Sequence, residues 1–197
     1  VRLLADAAAA LGILSKKGGI YSNTAAGAVA LVHGSAHDLS KAILYNRDVY
    51  GAWGRLAELV RTGECVEPPQ LHLGGDEERT RVFAQSMRSR AFAIGRAAVE
   101  MMPLEGATTL LDLAGGPGAY AELFARKFPG LHVTSVDLPA ISAIAKEFVA
   151  QDGLAGRIDC RAGDYHTDDF GTERYDAAAI FGALHQESPE DIVSILR

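Results

Sequence analysis

The sequence predicts an α/β fold, a parallel doubly wound sheet preceded by a mainly helical unit. Three observations carry this. From residue 107 onward strands and helices alternate, the order that builds parallel sheets. The stretch "TLLDLAGGPGAY", Thr109 to Tyr120, is an apolar run that ends in a glycine turn. In parallel sheets ligands bind outside such strand ends. The first hundred residues, by contrast, read as helix with one short strand.

"VRLLADAAAALGIL" spaces Leu4, Ala7, Leu11 and Leu14 as one helix face, and its alanines favour helix further. "SKKGGIYS" reads as a turn and a short strand, with Lys16 and Lys17 in solvent, and Thr24 caps "AAGAVALV". This order resembles part of a winged helix. Residues 38–62 continue as helix with Gly63 as C-cap, and Trp53 serves core or interface. "CVEPPQLHLGG" is a loop. Asp76 then caps a long helix whose first turn holds Glu77 and Glu78, with a bend expected near Ser89 or Gly95.

"PLEGA" at 103–107 marks the change of pattern. "TTLLDLA" is strand, "AYAELFARKF" helix, "HVTSVDL" strand, and Pro139 opens the helix "AISAIAKEFVAQ". "IDCRAGD" is strand, "YDAAAIFGAL" is a buried-type strand, and Ser188-Pro189 starts a last helix ending at Arg197. Four core strands are fewer than a doubly wound domain usually has. The expectation is a sheet incomplete at its C-terminal side, in a chain that is part of a longer protein.

Composition narrows the function. Of 197 residues, 48% are hydrophobic and 22% charged, as in ordinary globular proteins. No apolar run reaches the roughly 18 residues of a membrane span, and no signal-peptide layout opens the chain. Cys65 and Cys160 lack metal-ligand spacing, so free thiols in a cytoplasmic protein and no metal site are expected. Residues 1–100 carry a net charge of +2 and residues 101–197 a net of −8. An acidic half opposes nucleic acid, whose binding rests on basic neutralisation, and suits a small, cationic ligand. The first helix also offers only Arg2 and Asp6 among alanines and leucines, poor tools for reading bases.

Gly116, Gly118 and Ala121 satisfy G-x-G-x-x-A, which serves a dinucleotide or S-adenosylmethionine (SAM). Asp137 closes the second strand, where a carboxylate takes ribose hydroxyls. Asp112 separates the two ligands: a carboxylate there opposes a pyrophosphate but suits the ammonium and sulfonium of SAM. In "GDY", Asp164 stands where it can accept from the adenine amino group and Tyr165 offers a ring to the base. The alternatives are a nicotinamide dehydrogenase and three unrelated loop acids. His166 flanks the adenine position, and Asp168 and Asp169 read as a solvated loop.

"LLDLAGGPG", "VTSVDLP", "GDYH" and "ALHQESPEDIVSILR" together resemble the class I SAM-dependent O-methyltransferases. The similarity is to the caffeate, hydroxyindole and antibiotic-tailoring type with an N-terminal winged-helix-like dimerisation domain. It implies a dimerisation domain at 1–75, a connecting helix at 76–106 and the N-terminal portion of a Rossmann-like SAM domain at 107–197. The implied cofactor is SAM, leaving as S-adenosylhomocysteine (SAH). Its implied contacts are Asp112, Ala114, Gly116, Gly118, Asp137, Leu138, Gly163, Asp164, Tyr165 and Phe181. Phe83 and Met87 would line the pocket of a small aromatic hydroxylated substrate (plain core packing is their other reading), and His185 would be the general base. A homodimer in the cytoplasm follows, with no membrane or nucleic-acid partner.

Four departures stand out. Ala114 replaces the family's first turn glycine, which fits only a negative φ. Phe181 replaces a frequent lysine, and "HQE" stands where "HDW" is usual. The carboxylate that orients the histidine belongs to a region outside this chain, and Glu187 has no signal for that role. A SAM-binding protein without turnover and a winged-helix regulator are the other functional readings.

Overall fold

The computed structural model describes residues 1–35, 38–172 and 174–196. Arg197, where the last helix is expected to end, lies outside them. The chain opens with α1 (Arg2–Ala10), then β1 (Leu14–Lys17), β2 (Ile20–Asn23) and α2 (Ala25–Ala30). Leu14 therefore leaves the helix expected of it. β1 and β2 form an antiparallel hairpin with Lys17 opposite Ile20. Gly18 and Gly19 take φ of 57° and 82°, the pair of positive values that a two-residue hairpin turn needs. The Thr24 hydroxyl caps α2 by accepting from Gly27 N–H at 3.0 Å. Lys16 is paired with Asp6, which also accepts from the Tyr21 hydroxyl at 2.6 Å, so its charge is answered within the hairpin unit.

The expected helix at 38–62 is three: α3 (Ser40–Asp48), α4 (Tyr50–Trp53) and α5 (Leu56–Thr62). Gly54 and the non-helical turn at Arg55 divide a run that apolar periodicity alone reads as continuous. Gly63 closes α5 at φ 74°. Trp53 remains 66% exposed, which excludes the core role within this chain. A 3₁₀ turn at Pro69–His72 leads into α6 (Glu77–Glu100), capped by Asp76 through Arg79 N–H. α6 runs unbroken past Ser89 and Gly95. Its face of Thr80, Ala84, Ala91, Gly95 and Val99 is buried. Gly95 allows the close approach: a Cβ there would stand 2.8 Å from Tyr120 Cε1. Lys127 ends the helix by donating to the carbonyls of Val99 and Glu100, both at 2.9 Å.

The sheet follows: β3 (Thr109–Leu113), α7 (Ala119–Lys127), β4 (His132–Asp137), α8 (Pro139–Gln151), β5 (Ile158–Ala162), β6 (Ala177–Ile180) and α9 (Pro189–Ile195). All pairs are parallel, in the order β5-β4-β3-β6. Successive strands step one way from β3 to β5, and β6 lies on the other side of β3. The order thus reverses at β3, the point at which open α/β sheets form a ligand crevice beyond the carboxyl ends of their strands. β6 is an edge strand among the described residues, with Ala178 exposed and Ala179 buried, rather than the fully buried strand its alanines suggest.

Leu110, Val133, Ile158 and Cys160 from the strands meet Ala121, Phe124, Ala145 and Val149 from α7 and α8 in one core. Phe124 is fully buried, worth about 1.5–3 kcal/mol for such a side chain. At the opposite end of the sheet, one Asp176 oxygen accepts from the backbone and hydroxyls of Thr108 and Thr109, which fixes the start of β3 beside β6. No helix among the described residues is long and apolar enough to cross a membrane.

Candidate functional site

The crevice is built on the turn between β3 and α7. Ala114 holds φ at 52°, in the left-handed region. This corrects the expected negative φ: the backbone keeps the geometry of a glycine turn and alanine is forced into it. Gly115 lies flat against β4, its N–H donating to the Val136 carbonyl at 3.1 Å. A Cβ there would run into Ser135 Oγ and stand 2.6 Å from Asp112 Oδ2. Beyond it, Gly116 faces open space, so the turn shows bare backbone to the crevice. Gly118, at φ 78°, starts α7.

Asp112 is 1% exposed and accepts from Ser135 Oγ at 3.3 Å. Burial, reinforced by the nearby Asp137, pushes its carboxyl up to about 7. It lies beneath the turn, covered by Gly115, and not on the crevice wall. Asp137 reaches back to the turn: Oδ2 accepts from Gly116 N–H and Oδ1 from Leu138 N–H, both at 2.8 Å. Burial raises its pKa while those two donors oppose the shift. Each oxygen keeps a lone pair for a further donor, as a ribose diol requires.

The loop after β5 supplies the next wall. Gly163 N–H donates to the Asp137 carbonyl at 3.0 Å, which sets this loop beside β4. Asp164 Oδ1 accepts from His166 N–H at 2.9 Å, and Asp168 accepts from Asp164 N–H at 2.9 Å. Asp168 is therefore part of the loop's frame and not a merely solvated acid. The Tyr165 hydroxyl donates to Glu187 Oε1 at 2.7 Å. Burial first, then that carboxylate, pushes the phenol up to about 12.

The strand-end loop after β6 places the remaining residues. Phe181 stacks on Tyr120 with centroids 4.1 Å apart and planes at 3°. Its ring is half-buried in the packing between β6 and α7. His185 sits exposed on a single 3₁₀ turn, Leu184–Gln186. No acid among the described residues pairs with it, and Glu187 pairs with His166, at 3.5 Å, instead. Phe83 and Met87 are half-buried on α6. Phe83 joins Tyr45 and His72 in an aromatic cluster with centroid distances of 5.5 and 6.0 Å.

Sequence reasoning missed Arg88. From α6 it donates to Glu122 Oε1 at 2.6 Å, to Asp152 at 2.9 Å and to the Pro117 carbonyl of the turn at 3.3 Å. Its guanidinium also lies between the rings of Phe92 and Phe148, each at 4.8 Å. Glu122 is fully buried, and burial pushes it up to about 7 despite Arg88. The signal was there: Glu122 interrupts the apolar face of Ala121, Phe124 and Ala125, and a buried carboxylate needs a cation.

Residues 68–197 match the family described as O-methyltransferase domain. The chain belongs to this O-methyltransferase family. Among its relatives is 3-hydroxy-5-methyl-1-naphthoate 3-O-methyltransferase of Streptomyces sahachiroi, 31% identical over 93% of this chain and 54% of that protein. Acetylserotonin O-methyltransferase of Rattus norvegicus is 30% identical over 83% of this chain and 40% of the relative. This O-methyltransferase chain thus spans about half the length of the curated relatives it matches. Human N-acetylserotonin methyltransferase, solved in complex with SAM, superposes at a TM-score of 0.85, with 25% identity over 99% of this chain and 59% of that one.

Proposed function

We propose that the protein transfers a methyl group from SAM to a hydroxyl, phenolic in the first instance, of a small aromatic metabolite. The observation that carries this is the Gly116–Asp137 pair at the sheet's reversal point. It joins a bare glycine backbone to a carboxylate with lone pairs to spare, at the edge that also gathers Asp112 and Asp164. The donor set fits an adenosine: Asp137 for the ribose, and Asp164 and Tyr165 for the adenine. When bound, SAM supplies an electrophilic methyl on its sulfonium.

His185 takes the proton of the acceptor hydroxyl. A free phenol has a pKa near 10, so a base at the oxygen makes it a better nucleophile at neutral pH. Phe83 and Met87 hold the acceptor ring from the α6 side. Residues 1–75 form a winged-helix-like unit that pairs two copies, residues 76–106 connect it, and residues 107–197 hold the cofactor. The free thiols Cys65 and Cys160 suit a cytoplasmic location.

Calorimetry with SAH tests the cofactor site. The full-length protein binds SAH and Asp137→Ala largely abolishes binding, whereas unchanged affinity overturns the assignment. For the base, His185→Ala lowers transfer to a panel of phenols by about 10²–10⁴-fold and leaves SAH affinity within about twofold. A second reading is a SAM-binding protein without turnover, favoured by Phe181, which packs on Tyr120 where the family often carries a lysine. Wild-type protein that binds SAH but methylates no phenol in the panel selects it.

A further inference from the structure

Glu187 carries no role in the reading above, yet its surroundings are specific. Its side chain is 12% exposed, although it lies in a loop between a 3₁₀ turn and α9. One oxygen accepts from the Tyr165 hydroxyl at 2.7 Å and the other lies 3.5 Å from His166 Nε2. The rings of Tyr165 and His166 rest against each other with centroids 4.6 Å apart. Both oxygens of one carboxylate are thus directed at the loop that follows β5.

The sheet order gives this contact its meaning. Glu187 follows β6 and Tyr165 follows β5, and these strands stand at opposite ends of β5-β4-β3-β6. Three strand spacings of about 4.8 Å, roughly 14 Å in all, separate them. The two loops must therefore lean toward each other across the carboxyl ends of β4 and β3. Asp137 and the Gly116 turn lie at those ends. The Tyr165–Glu187 bond consequently crosses the mouth of the crevice.

We infer that Glu187 is a positioning residue: with Tyr165 it clasps the two outer loops over the cofactor crevice, fixing the adenine wall and the turn that bears His185 relative to each other. This rests on the reading of the crevice as a SAM site. The carboxylate accepts the phenolic proton's hydrogen bond and so holds the Tyr165 ring in one rotamer. The same carboxylate anchors the chain two residues after His185. Loss of either partner frees both loops, so cofactor affinity and turnover decline together.

The experiment is a double-mutant cycle in the full-length protein, read as the SAH dissociation constant by calorimetry and as kcat with a free phenol that the wild-type protein methylates. Tyr165→Phe keeps the ring and removes only the hydroxyl, so it tests the clasp even where Glu187→Ala disturbs folding. Each single variant is expected to weaken SAH by roughly five- to tenfold, within the net worth of one ordinary hydrogen bond. The double variant should match the more affected single within about twofold, because the bond can be lost only once. Glu187→Gln, whose amide oxygen still accepts from Tyr165, should return affinity and kcat to within about twofold of wild type. Wild-type affinity in Tyr165→Phe, additive losses in the double variant, or failure of glutamine to rescue each overturn the clasp. Wild-type protein that does not bind SAH overturns the SAM reading instead, a separate outcome.

Discussion

Replacing Ala114 with glycine is expected to stabilise the protein. Ala114 sits at φ 52°, where an L residue's Cβ crowds its own carbonyl. That conformation costs about 1–2 kcal/mol. Glycine removes the crowding but gives the unfolded chain more freedom, which costs about 0.4–1 kcal/mol. The difference leaves about 1 kcal/mol in the variant's favour, and in a chain of this size that raises Tm by about 2–4 °C. Thermal unfolding followed by circular dichroism, both proteins at one concentration without ligand, measures it. An unchanged or lowered Tm refutes the claim that this turn holds alanine under strain.

Three further outcomes follow from buried groups. Arg88→Met strands the buried Glu122 and is expected to cost about 3–5 kcal/mol in urea unfolding. Adding Glu122→Leu should recover most of that loss, and no recovery would refute the pairing. Asp112, pushed up to about 7, stays protonated in the folded protein between about pH 4 and 7 while the unfolded chain has released the proton. Stability therefore falls as pH rises through that window and levels off above it. Asp112→Asn should make the slope shallower, and equal slopes in both proteins would count against it. Cys160 is buried and its thiol is pushed up to about 11, whereas Cys65 is exposed. A thiol reagent should therefore label one cysteine per native chain at pH 8, and rapid labelling of two contradicts that burial.

The local grammar of the chain was legible where a single residue decides a boundary. Thr24, Asp76 and Ser188 cap the helices they precede, and Pro139 opens α8, because a cap depends on residues three or four positions away. The Gly18-Gly19 hairpin also carried a local signal, and reading Lys16 and Lys17 as turn missed the strand that pairs with β2. Long-range partners were not legible. Arg88 lies 34 residues from Glu122, and Tyr165 lies 22 residues from Glu187. No periodicity within an element encodes such a pairing; only the sheet order brings the loops together. Ala114 marks a third limit: an alanine in a glycine's place argued for a negative φ, and the tethering of Gly115 and Gly116 to β4 and Asp137 accompanies a positive one.

α6 has a consequence for motion. On one side Arg79 and Arg90 tie it to Asp48 and Asn46 of α3 or its end. On the other, Arg88 grips the glycine turn and Gly95 seats Tyr120 of α7. A helix pinned on both flanks cannot serve as a hinge. The stretch of α6 that carries Phe83 and Met87 and the turn that carries Gly116 should fluctuate as one rigid block. Breathing of the crevice then falls to the loops after β5 and β6 and to the hairpin unit ahead of α3. In hydrogen exchange the amides of Ala84 to Gly95 would be among the last to open, while those around Tyr165 and His185 exchange through small, local excursions.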